Sequence, residues 1–215
     1  MKKIARLIPL LALPLAPSAG AQTIANPIVA FTNKPEHRQI VNTTAIEAFK
    51  RLQQCDTATV QSVASPEFYA NFGPLNVDSK GDLSAGLIKE SIAVSGCGKQ
   101  GIENILTLSD KGQLKSVAGL PGTSKADPVL AKDSMQYAYM GVMRKIGQCK
   151  DVHVIDTKFD DFTGAPNPRA KFQKNGGRPW KETWTLNACG MIVDTDITYI
   201  PDETGTGISA AVQKP

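Results

Sequence analysis

Histidine is scarce in this chain, with His37 and His153 the only two among 215 residues. Neither has a partner at ligand spacing, and close cysteine pairs of the C-x2-C kind are missing, so no metal site is expected. The nucleophile elbow G-x-S-x-G, a glycine-rich phosphate loop and H-E-x-x-H are absent too, which removes the standard hydrolytic, nucleotide-binding and metalloprotease routes. No cofactor is therefore expected. Long apolar runs are also lacking: residues 7–16 are short and broken by Pro9 and Pro14, so no membrane span is expected.

The early residues instead resemble a secretory signal in their order. Lys2, Lys3 and Arg6 come first, then the short apolar run, then Ala19-Gly20-Ala21 as a small-residue cleavage site. Cleavage after Ala21 would remove three of 24 basic residues and none of 20 acidic ones, leaving a formal charge of +1 in place of +4. The basicity thus belongs to the export segment, and nucleic-acid binding is not expected. The expected product is a soluble periplasmic or secreted protein.

What the chain does have is four cysteines in two copies of one pattern: Cys55 with Cys97-Gly98, and Cys149 with Cys189-Gly190. Aligning Cys55 with Cys149 matches Gln54 to Gln148, Leu52 to Ile146, Arg51 to Lys145, Lys50 to Arg144, Phe49 to Met143 and Ile46 to Met140. Aligning Cys97 with Cys189 matches Glu90 to Glu182, Ile105 to Ile197 and Asp110 to Asp202. Tandem duplication of one supersecondary unit follows from these matches. An even cysteine count in an exported chain favours disulfides. A unit copied whole should carry its own bridge, so the expected pairs are Cys55–Cys97 and Cys149–Cys189.

Periodicity divides the chain into a signal (1–21), an extended lead-in (22–42), a first repeat (43–118), a linker (119–126) and a second repeat (127–215). Thr44-Ala45-Ile46-Glu47 reads as a capping box, with Ile46, Phe49 and Leu52 as the buried stripe of the first helix. Asp127-Pro128 starts the second helix, with Met140, Met143 and Ile146 as its stripe. Period-two segments follow each helix: residues 88–94, 102–108 and 114–118, then 152–155, 180–186, 192–200 and 208–212. The expected fold is α+β, a helix plus a four-stranded antiparallel meander repeated twice, in the order of elements of cystatin-like and NTF2-like folds.

Glu90 and Glu182 stand out because each sits on an apolar strand face, between Ile88 and Ile92 or between Trp180 and Trp184. Held among indoles, the Glu182 carboxyl is the weak candidate for an acid or base. Alternatively, each glutamate pairs with the basic end of its own helix, Arg51 or Lys145, or faces solvent. Aromatic residues are concentrated in the second repeat: Tyr137, Tyr139, Phe159, Phe162, Phe172, Trp180, Trp184 and Tyr199, against Phe49, Phe68, Tyr69 and Phe72 in the first. Trp180, Glu182 and Trp184 are thus the residues expected to bind a ligand or partner, either a protein or a small apolar molecule. His153 reads as a structural strand histidine.

Gln61-Ser62-Val63-Ala64-Ser65 resembles the Q-x-V-x-G inhibitory loop of cystatins, and Pro179-Trp180 resembles their Pro-Trp loop. Ser65 stands where that family has glycine, and the two elements fall in different repeats. The resemblance implies an envelope inhibitor of a protease or lysozyme that presents both loops side by side on an exposed edge. The principal expectation is a non-enzymatic binding protein, with an NTF2-like pocket enzyme and an inhibitor as the alternatives.

Overall fold

A computed structural model of the protein describes residues 26–110, 113–147, 149–170 and 174–213. The expected export signal, Gln148, the turn residues 111–112 and Phe172 lie outside them. Three helices and ten strands are present among the described residues: α1 (Pro27–Thr32), α2 (Pro35–Gln53), β1 (Thr59–Val63), β2 (Glu67–Phe68), β3 (Asn76–Val77), β4 (Leu83–Gly96), β5 (Lys99–Asp110), β6 (Gln113–Ala118), α3 (Pro128–Ile146), β7 (Val152–Phe162), β8 (Trp180–Ala188), β9 (Met191–Pro201) and β10 (Thr206–Val212). Among the described residues no helix is long and apolar enough to cross a membrane.

From Pro27 onward the lead-in is largely helical, which corrects the extended segment expected over 22–42, of which residues 22–25 lie outside the described ones. Pro27 and Pro35 occupy first-turn positions, where the missing N–H costs nothing and the fixed φ suits a helix, so they start helices here. Asn26 caps α1 by accepting from Ile28 N at 3.0 Å. The capping-box residue Thr44 lies inside α2, its hydroxyl donating to Ile40 O at 2.9 Å. Helix α3 starts as expected, with the Asp127 carboxylate accepting from Val129 N and Leu130 N.

The buried helix faces also differ from the expected stripes. α2 buries Val41, Ala45, Ala48 and Phe49, and α3 buries Ala131, Ser134, Ala138 and Val142, while Met140 is exposed. Small residues face the second sheet because Trp180, Trp184 and Tyr199 beneath it already fill the volume.

Two antiparallel sheets form, one ordered β1-β4-β5-β6 with β2 and β3 also paired to β4, the other ordered β10-β9-β8-β7. Each long hairpin closes through a two-residue loop, Gly96 and Lys99 flanking Cys97-Gly98, Ala188 and Met191 flanking Cys189-Gly190. All four loop residues have positive φ, the backbone of a type I′ turn, whose twist matches that of the flanking strands. Cysteine is not a residue that favours this conformation, and in both loops it is bonded: Cys55–Cys97 and Cys149–Cys189 are disulfides. Each bridge joins a buried cysteine just past a helix to an exposed hairpin tip. Such bonds suit an oxidising compartment.

The buried apolar residues fall into separate clusters, one under α3, one under α2 and a small one around Phe31, Leu83 and Ile88. Residues 119–125 join the halves, and Gln53 Nε2 on α2 adds a bond to Ile155 O on β7 at 3.1 Å. β6 ends opposite Ile105, and beyond it the connecting segment takes over the free edge of β5, with Gly119 N donating to Asn104 O and Gly122 N to Ile102 O, both at 2.7 Å. Thr123 N then donates to Thr157 O on β7 at 2.6 Å. The sheets are thus laced edge to edge through a strap of irregular backbone. Gly122 makes this possible, because at φ +86 a side-chain carbon there would meet Thr157 O at 2.0 Å.

Candidate functional site

Trp180, Glu182 and Trp184 share the inward face of β8, where alternation buries every second residue. All three are fully sealed from solvent. The indoles meet the glutamate with their N–H groups: Trp180 Nε1 donates to Oε1 and Trp184 Nε1 to Oε2, each at 2.9 Å, and Lys125 N adds a third bond to Oε1 at 2.7 Å. A carboxylate at the centre of three donors is a satisfied acceptor. Its work is to tie the start of α3 to the sheet beneath. Trp180 also stacks on Tyr199, centroids 4.5 Å apart, and burial together with the nearby Glu182 charge raises the Tyr199 hydroxyl pKa.

Glu90 is equally buried, on β4 between Ile88 and Ile92. Its partners come from the first turns of α2: His37 Nε2 lies 2.5 Å from Oε2, and Arg38 Nη2 lies 2.8 Å from Oε1. Arg38 also donates to Thr32 O. Neither glutamate therefore faces solvent or pairs with Arg51 or Lys145. His37 had no role in the sequence reading because the lead-in read as extended; Pro35-Glu36, a proline and an acid in a first turn, was the available signal of a helix there. This cluster is less complete, since Arg38 Nη1 and Glu90 Oε1 are buried without a hydrogen-bond partner among the described residues, Oε1 being held by its ion pair with Arg38.

A third glutamate, Glu103 on β5, received no attention in the sequence because no pattern marks it. It is 1% exposed, and its Oε2 is buried without a hydrogen-bond partner among the described residues. Burial pushes its carboxyl up to about 7, with Arg51 opposing the shift and Asp156 adding to it.

His153 is exposed and paired with Asp151 at 2.6 Å. Gln61 to Val63 lie on β1, an edge strand of the first sheet, whereas Trp180 is interior to the second. The two cystatin-like elements do not form one exposed wedge.

The concave surface lies where the halves meet. A cleft of about 280 Å³ is bounded by the last turn of α2 (Arg51, Leu52), the β5–β6 end and strap (Leu106, Ala118, Gly119, Leu120, Pro121), one side of α3 (Pro128, Ala131, Lys132, Met135, Tyr139) and β7 (His153, Val154). Leu52, Leu106, Leu120, Met135 and Tyr139 are only half-buried, and burial raises the Tyr139 hydroxyl pKa. A second trough of about 480 Å³ crosses the seam, lined by Gln61, Gln100, Asp156 and Lys158 among others. Its walls are more polar and carry both charges. Neither Trp180, Glu182 nor Trp184 lines any of the described clefts. Comparison with protein-family models, curated proteins and solved structures finds no match to this chain.

Proposed function

We propose that the chain is an exported, non-enzymatic binding protein in which two copies of a helix-plus-meander unit hold a small apolar ligand in the cleft between them. The duplication is supported by the matching cysteine frames, by the same strand path in both meanders and by the left-handed cysteine in each hairpin. Export is supported by the order of residues 1–21 and by two disulfides.

One observation carries the binding reading: five large apolar side chains from four separate segments converge on a cleft and are left half-buried. Such walls are the usual lining of small-molecule sites. Against acid or base chemistry at Glu182 stands its filled shell of donors. A neutral environment-sensitive dye such as Nile red should bind the folded protein with one-to-one stoichiometry, and Met135→Asp should abolish that binding at a temperature where the circular dichroism spectrum shows the variant still folded. Because both indoles are sealed in the core, tryptophan emission should barely move on binding. A dye signal unchanged by Met135→Asp would sink the assignment to this cleft.

A further inference from the structure

The basic groups around the cleft narrow its ligand. Arg51, Lys132 and His153 are lining residues, and no aspartate or glutamate is among them. Arg51 and Lys132 are exposed and have no ion-pair partner within 4 Å among the described residues, while His153 is occupied by Asp151. Glu103, the buried carboxyl on which Arg51 acts, is sealed inside the protein on β5 and does not line the cleft. Two cations without an ion-pair partner among the described residues therefore stand at an apolar cleft that has no carboxylate among its lining residues.

We infer that the cleft takes an amphiphilic monocarboxylate, with its apolar body against the half-buried walls and its carboxylate between Arg51 and Lys132. The inference rests on the proposed binding role of the cleft. A neutral apolar ligand would use the walls and leave both cations idle. A cation would meet like charge. At about 280 Å³, and taking about 30 Å³ as the volume share of a water-sized group, the body has on the order of ten heavy atoms. Arginine suits a carboxylate through its planar pair of donors, and lysine adds a point charge.

Octanoate, 1-octanol and octylammonium form a series of one chain length and three charges. Each is titrated against Nile red bound to the full protein at neutral pH and low ionic strength, then again with Arg51→Gln/Lys132→Gln, whose exposed substitutions leave the fold alone. Octanoate should displace the dye roughly five- to tenfold more tightly than octanol, octylammonium least well, and the double variant should bring octanoate to the level of octanol without changing octanol itself. Equal binding of octanoate and octanol by the parent overturns the anion assignment while the cleft reading stands. A preference for octanoate that survives in the double variant overturns the assignment to these two cations. Failure of all three to displace the dye overturns the cleft reading and this inference with it.

Discussion

Glu90 and Glu182 each stand seven residues before a hairpin cysteine, on the second strand of their sheets, and both are sealed from solvent, yet their charges are met by different chemistry. Glu90 is met by a histidine and an arginine from the first turns of a helix. Glu182 is met by three N–H dipoles, two from indoles on its own strand and one from the strap. A buried carboxylate needs compensation, and either opposite charge or converging donors can supply it. The two solutions differ in what is stranded when the carboxylate is removed. In the first half, Arg38 is part-exposed and can turn to water. In the second, two indole donors sit in a sealed core and cannot move out, and the third donor is the backbone N–H of Lys125 on the strap.

Replacing Glu182 by leucine should therefore have the largest effect, about 4–5 kcal/mol lost in urea unfolding monitored by tryptophan emission, since each stranded donor costs about 1–3 kcal/mol. Glu90→Leu should cost less, about 3 kcal/mol, at the lower end for a broken buried ion pair. Equal costs would mean that Arg38 and His37 are as immobile as the indoles. A reversed order would overturn the account of both sites.

Glu103 sharpens the comparison because it is a buried glutamate whose Oε2 lacks a hydrogen-bond partner among the described residues. Its folded-state value of about 7 lies above the ordinary 4.5. Between these values the folded protein holds a proton that the unfolded chain has lost. The stability linked to this group is thus complete below pH 4.5 and is lost as pH rises through 7. Glu103→Gln should be nearly neutral at pH 4 and more stable than the parent by about 2–3 kcal/mol at pH 8. Parallel pH–stability curves for the two proteins would show that another group carries the dependence.

Much of the scaffold was legible from residue order. The hairpin at Cys97-Gly98, its counterpart at Cys189-Gly190 and the start of α3 at Asp127-Pro128 follow from local turn and capping chemistry, both disulfide pairings follow from the repeated cysteine frame, and the structure has them. Helix α2 was misplaced because prolines read as breakers when they sat at first-turn positions. Of the expected helix stripes, Phe49 is fully buried and Met143 and Ile146 pack against the core, whereas Met140 is exposed because the sheet beneath α3 has no room for it. Trp180 and Trp184 were expected at a binding surface since exposed and buried aromatics look alike in sequence.

The candidate cleft was not legible at all. Arg51 and Leu52, Leu106, Leu120, Met135 and His153 come from five places in the chain, and no local pattern links them. They meet because β6 stops short, leaving the edge of β5 open to the strap, and because Gly122 lets the strap lie against Thr157. Periodicity, caps, turns and cysteine spacing act over a few residues or through a covalent bond, so sequence alone determined the elements and their staples. Whether a buried glutamate meets cations or indoles, and which apolar residues are left over after packing, depends on volumes and distances between segments far apart in the chain, and those only the tertiary structure decided.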